Sequence, residues 1–319
     1  MQRIGITPKY DKIAQHYRDA LMGHAIWVEI MASLEELISD ITPEDSNYRD
    51  YIGWIKDNLA ELLTKHPTEF DGIEQRLQDL FDCKMDWHGW VSGSEVSFGT
   101  RVARALHYSD VREKILPEYI KELGIRTCVY CNMQYALTTP KRSGKNLAYY
   151  EMDHAWPKSK FPYLALSFFN LHPCCGPCNK HKSAFENEPH YSIYIEKAEP
   201  AIKFSIDDES LVEYILMHDR TKLKICMQHN DEVKALYKKL RIASLYTLHT
   251  DEVEEMAWKA KIYNDAYFRQ LSAAYGTSFL NSRTNLYRML YGLYNGEENI
   301  YSRPLTKMKQ DIAKQLKLI

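Results

Sequence analysis

The stretch that decides the reading is "EMDHAWPKSKFPYLALSFFNLHPCCGPCNKHK", residues 151–182. It sets an acid beside a histidine, Asp153 and His154, and closes on a C-x-x-C pair, Cys175 and Cys178. A second pair, Cys128 and Cys131, lies upstream in "CVYC". A C-x-x-C turn lets two sulfurs face one ion, and four thiolates suit tetrahedral Zn²⁺ while leaving no open coordination position. The four cysteines therefore read as a structural zinc site at the base of the Asp-His loop. Cys174 adjoins Cys175, but the pair 175 and 178 keeps the two-residue gap, so Cys174 is left as a spare thiol. Cys83 and Cys226 lie apart from the cluster and read as ordinary buried thiols.

Outward from this stretch the chain is ordinary. It has 319 residues, 45% of them apolar and 26% charged, with a formal net charge of −2. That composition fits a globular protein with a real core, and it excludes a chain that binds a polyanion through overall charge. The start has no apolar segment flanked by a cleavage site, and the longest apolar run, "ALMGHAIWVEIMASL", is interrupted by His24 and Glu29. A cytoplasmic protein with no membrane span is expected. The fold class expected is α+β and mainly helical, with a helical region over 1–108, a central β-containing core over 109–190, and short strands followed by helices over 191–319.

Several local expectations follow. "DKIAQHYRDALMGHAIWVEIMASLEELISD" has helical periodicity for one long helix or two short ones. Thr42 with Pro43, and Thr68, read as helix starts. Pro117 should split the helix in "SDVREKILPEYIKELG", which Gly124 stops. "TCVYCNMQYALTT" and "NLAYYEM", joined by "PKRSGK", read as a hairpin whose second strand ends just before Asp153. "CNKHKSAFEN" can open a helix, while "YSIYIE", "AIKFSID" and "LVEYILM" read as strands. Helices return from about Asp231, with Pro304 in a first helical turn.

Asp153, His154, Asn170 and Asn179 together supply a hard oxygen ligand, a near-neutral base and amide oxygens, a set suited to metal-assisted phosphodiester hydrolysis. Between 141 and 182 the basic residues are Lys141, Arg142, Lys145, Lys158, Lys160, Lys180 and Lys182, against Glu151 and Asp153 alone. That local excess of positive charge is a footprint for a polyanion. Among these, Lys158, Lys160, Lys180 and Lys182 are the expected nucleic-acid contacts.

The pattern "CVYC … MDHAWPKS … NLHPCCGPCNKHK" resembles the HNH endonuclease motif in its four-cysteine form, over residues 128–182. The strings "PKSKFPYLALSFFNL" and "CNKHK" are similar also to the HNH nuclease subunit of Septu-type antiphage defence systems, which acts beside an ATPase. The resemblance implies a ββα-metal core around one catalytic Mg²⁺ or Mn²⁺, with a structural Zn²⁺. It makes His154 the general base, Asp153 and Asn179 the catalytic-metal ligands, and Asn170 the residue that holds the histidine loop. His172 and His181 stay open as competing ligands. It also implies nucleic acid as substrate, DNA ahead of RNA, and an ATPase partner or a homo-oligomer. Two other readings remain: a zinc-stabilised nucleic-acid- or protein-binding module without catalysis, and a toxin-like effector that cleaves RNA such as tRNA. The apolar and aromatic "NLYRMLYGLY", 285–294, is the expected partner contact.

Overall fold

The computed structural model describes residues 3–41, 46–81, 96–140, 146–186, 190–195, 200–263 and 294–318, with a few further residues between 266 and 292. The architecture is α+β and mainly helical, with antiparallel two-stranded ribbons. The chain divides into two units, one of residues 3–125 and 136–197, the other of 126–135 and 198–319.

In the first unit the amphipathic run at the start forms two helices, α1 (Pro8–Met22) and α2 (Ala25–Asp40). The break has a local cause. Gly23 closes α1, and the His24 ring accepts from the Ile26 backbone N–H at 3.2 Å, satisfying an orphan donor of α2. Helix α3 covers Ser46–Leu62; the expected cap at Thr42 and Pro43 lies outside the described residues. The start expected at Thr68 is corrected to His66. Its ring accepts from Thr68 N–H while the Glu69 carboxylate accepts from His66 N–H, a reciprocal box on the 3-10 turn that leads into α4 (Phe70–Phe81). Next come α5 (Phe98–Ala105), α6 (Tyr108–Lys114) and α7 (Leu116–Glu122). The split at Ile115 places Pro117 in the first turn of α7, where its missing N–H costs nothing. Gly124, at φ +76°, ends that helix.

The strands are arranged differently from the expected single hairpin. β1 (Leu137–Pro140) pairs antiparallel with β2 (Asn146–Tyr149), and the ribbon ends there; most of the connecting "PKRSGK" lies outside the described residues. Asp153 and His154 belong to a separate strand, β3 (Glu151–His154), paired with β4 (Leu171–Cys174) so that Asp153 faces His172 and His154 faces Leu171. Helix α8 (Gly176–Lys182) follows β4. The order strand, strand, helix therefore runs through 151–182.

Between β3 and β4 the chain makes a buried strap. Phe161, Tyr163, Leu164, Leu166, Phe168 and Phe169 are all 8% exposed or less. Each such side chain contributes roughly 1.5–3 kcal/mol by leaving water. The strap is moored by Tyr17, whose hydroxyl donates to Leu166 O at 3.0 Å, and by Phe168 N–H donating to Leu63 O at 2.9 Å. Apolar composition buries this segment, but a buried irregular segment must also satisfy its backbone. Asn170 does part of that work from inside the strap.

The second unit holds β5 (Ile202–Ile206), α9 (Asp208–Met217), β6 (Ile225–His229), α10 (Asp231–Leu240), α11 (Ile242–Tyr246), α12 (Thr250–Ile262) and α13 (Thr306–Gln315). β5 pairs with β6, which was not anticipated. Two strand expectations are corrected. "LVEYILM" is helical because Asp207 caps α9, accepting from Ser210 N–H at 2.9 Å. The described part of "YSIYIE" is a turn, not a strand. Helix α13 begins at Thr306, behind Leu305 in a left-handed conformation, so Pro304 precedes the first turn. Its Asp311 and Gln315 carboxylate and amide oxygens accept from Phe204 N–H and Ile206 N–H, closing the outer edge of β5.

Candidate metal centre and active-site cleft

Each C-x-x-C turn is fixed by its own surroundings. Asn132 follows Cys131 at φ +53°, a left-handed conformation that asparagine tolerates better than most residues. Its N–H donates to Cys128 O at 2.9 Å. Its side-chain amide donates to Thr127 Oγ1 and Ile300 O, and its oxygen accepts from Lys307 N–H at 3.1 Å. The Tyr246 hydroxyl donates to Cys131 O at 2.7 Å. Met133 N–H points at Cys131 Sγ, 3.4 Å away, which steadies a thiolate. The second turn opens α8, with Cys175 as its N-cap and Asn179 N–H donating to Cys175 O at 3.0 Å.

The sulfurs of Cys128, Cys131, Cys175 and Cys178 all lie within 4.8 Å of one another, and all four residues are buried. A Zn–S bond of about 2.3 Å puts tetrahedral sulfurs about 3.8 Å apart. The donor set and its spacing fit a metal such as zinc. Cys174 is buried outside this group, its thiol pushed well up by burial and by the nearby Asp153 carboxylate. Cys226, expected buried, is exposed, because Ser205 and Cys226 pair on a thin ribbon; Cys83 lies outside the described residues.

A cleft of about 440 Å³ brings Asp153, His154 and Asn179 together with Arg112, Lys158 and Lys180. β3 supplies the acid and the histidine, α8 supplies Asn179 and Lys180, and α6 supplies Tyr108 and Arg112. Among the described residues, neither His172 nor His181 lines it. His181 is exposed on α8, and His172 is buried on β4 opposite Asp153.

His154 is almost enclosed. Its Nε2 lies 3.0 Å from Ala165 O, and its ring centre 4.7 Å from that of Tyr108. A carbonyl only accepts, so Nε2 carries the proton and Nδ1 keeps its lone pair. Burial, with Lys158 and Lys182 nearby, pulls its pKa down to about 3, against the weaker upward pull of the Ala165 hydrogen bond. The imidazole is therefore neutral at pH 7. Burial in the same way pulls His172 down to about 3, helped by Lys182 and His154.

Lys182 is the correction at this site. Expected as a nucleic-acid contact, it is 2% exposed and cannot meet a surface ligand. Its ammonium lies 2.9 Å from Asp153 Oδ2 and donates to His154 O at 2.8 Å. It is the third residue after Asn179 on a helix, so the two occupy neighbouring turns, and burial follows from α8 lying on β3. Lys160 is ion-paired with Glu186. Lys158 keeps its ammonium 4.3 Å from the Tyr108 ring centre, and desolvation first, then Arg112, lowers its pKa. Lys180 is exposed at the cleft. Lys141, Arg142 and Lys145 lie outside the described residues.

Asn170, fully buried, closes the strap over the histidine. Its oxygen accepts from Trp156 N–H at 2.8 Å, and its amide donates to Trp156 O at 3.1 Å and Leu164 O at 3.0 Å. Tyr108 and Arg112 had no signal in sequence, since only the fold brings α6 to β3. Comparison with protein-family models, curated proteins and solved structures returns no match for this chain.

Proposed function

We propose that this protein is a metal-dependent endonuclease of the HNH type that hydrolyses nucleic-acid phosphodiester bonds. The observation that carries the reading is the convergence of Asp153, His154 and Asn179 on one cleft edged by Arg112, Lys158 and Lys180. Asp153 and Asn179 offer the hard oxygens that Mg²⁺ or Mn²⁺ takes, and solvent fills the other positions of such ions. When bound there, the ion would neutralise charge developing on the phosphoryl group and the departing oxygen. His154 takes a proton from the attacking water at Nδ1, the free nitrogen of a ring whose Nε2 is committed to Ala165 O. The hydroxyl adds to phosphorus, and the 3′ oxygen leaves with the bonding pair and is protonated by solvent. Lys180 and Lys158 hold the phosphate, and Asn170 keeps the histidine loop in shape.

Zinc at the four cysteines would serve structure, since four thiolates leave no position for substrate. Action in antiphage defence beside an ATPase rests on the resemblance of the strap and "CNKHK" to Septu-type nucleases. Half of "NLYRMLYGLY" lies outside the described residues; in the other half Met289 is exposed and Leu290 is buried. On α9, Val212, Leu216 and Met217 are exposed apolar side chains that a partner could cover.

One observation favours a binding module without catalysis: Lys182 occupies one oxygen of Asp153. Incubation of the protein with supercoiled DNA, single-stranded DNA and tRNA, in Mg²⁺ and in Mn²⁺, with and without a neighbouring ATPase, separates the readings. A nuclease gives metal-dependent cuts that His154→Ala abolishes. Binding with no cuts under any condition selects the module, and cuts confined to tRNA select the RNA-directed effector.

A further inference from the structure

The cleft does not end at the histidine. Tyr108, Lys158 and Ser159 form a shared wall, and beyond it lies a second hollow of about 400 Å³. Its far side is made by Thr100, Ala103 and Arg104 of α5, with His107 and Ser109 at the turn into α6. The charged and titratable groups that line it are Arg104, His107, Asp110 and Lys158. Asp110 is offset by its ion pair with Lys114, and the His107 ring is engaged by Ser33 Oγ at 2.9 Å. Arg104 is exposed and Lys158 half-buried, so two cations line the hollow, together with Thr100, Ser109 and Ser159.

The opposite end of the cleft differs. There a hollow of about 280 Å³ shares Arg112 and Met152 with the cleft. Its Arg112 is paired with Glu151 at 2.9 Å, and Glu113 adds an acid. A polyanion leaving the cleft meets net positive charge on the Arg104 side and balanced or negative charge on the other.

We propose that the Arg104 hollow is a binding subsite for a phosphodiester and sugar flanking the scissile phosphate, so that a single nucleic-acid strand runs from the cleft over Lys158 toward α5. This rests on the nuclease reading of the cleft, but it makes a binding claim that stands or falls without cleavage. Lys158 sits at the junction and serves both sites. Arg104 is the outer anchor, reaching a phosphate from α5. Ala103 lines the same far side, where a new acid opposes the strand without removing a charged group.

The test uses the full chain carrying His154→Ala, which prevents cutting, and fluorescein-labelled single strands of four and sixteen nucleotides, in DNA and RNA versions. Anisotropy titrations are run at several salt concentrations on this protein and on versions with Arg104→Glu, Arg104→Gln or Ala103→Glu added. Zinc content and circular dichroism check each fold. The expected result is a loss of at least ~10-fold in sixteen-nucleotide affinity for both glutamate variants, and a salt slope lowered by about one for Arg104→Gln. The four-nucleotide strand should bind all versions alike. The better-bound backbone identifies DNA or RNA as the source of the phosphate. Unchanged sixteen-nucleotide binding in both folded glutamate variants overturns the subsite, as does equal loss for the short strand or no binding by the protein before these additions. Absence of cutting by the protein with His154 intact, in either metal and with or without an ATPase, alongside length-dependent binding lost in the variants, sinks the nuclease reading and leaves the subsite standing.

Discussion

At the scale of single residues, the site turns on Lys182. A buried ammonium beside a buried carboxylate stands because each partner offsets the other's desolvation, and removing one is costly. Lys182→Met is expected to lower stability by roughly 3–5 kcal/mol, since it takes the ammonium away from the buried Asp153 carboxylate. Adding Asp153→Asn should recover much of that loss, which paired urea denaturation curves would measure. Equal stability of Lys182→Met and the unaltered protein would contradict the pair. His154 and His172 set a pH dependence. Both have folded pKa values near 3, below the ordinary 6.5, so the unfolded chain binds protons that the folded chain does not. Their contribution is complete above about pH 6.5 and is lost as pH falls toward 3. At pH 5.5 each costs about 1.4 kcal/mol. Replacing His172 with Gln should flatten the fall of denaturation midpoint between pH 7 and 5.5, and an unchanged slope would count against its burial as a neutral ring.

At the scale of elements, the strap between β3 and β4 decides whether the histidine is held. Asn170 makes three hydrogen bonds to strap backbone, and Asn170→Ala strands those groups in the interior. A loss of about 3 kcal/mol is expected from the handful of bonds and their desolvation. Asn170→Asp, which keeps one acceptor but no amide donor, should lose less of the Trp156 N–H bond than of the other two. Hydrogen exchange of the Trp156 amide reads this directly, and protection surviving in Asn170→Ala would contradict the role. The same element shows what was legible in sequence. Two C-x-x-C pairs declare themselves by spacing, because a tight turn is a local property. Asp153 and His154 stand out as residues, but they lie in a strand separate from the hairpin, since the aromatic-rich run over 146–154 breaks at Tyr150 for no reason its composition reveals. "LVEYILM" is β-branched in part, yet one Asp207 cap made it helical. Lys182 looked like a surface charge because burial of α8 against β3 is a tertiary fact, and Arg112 and Tyr108 reach the cleft from forty residues upstream.

At the scale of the whole molecule, the four-cysteine cluster and the cleft at Asp153 and His154 are the features on which the proposed function rests. Among the described residues no helix is long and apolar enough to cross a membrane. Purified protein should carry about one zinc per chain, lost in Cys131→Ser or Cys178→Ser together with cooperative unfolding, because metal binding here is also folding energy. Cys174→Ser, outside the cluster, should keep its zinc; elemental analysis showing the reverse would reassign the ligands. The central claim is catalytic, and the measurement that reaches it most directly is the rate of strand cleavage with Mg²⁺ or Mn²⁺ by the unaltered protein and by zinc-loaded His154→Ala. Loss of the proposed general base is expected to slow cleavage at least ~100-fold while zinc content and circular dichroism stay the same. Cleavage by His154→Ala at the unaltered rate would contradict the account.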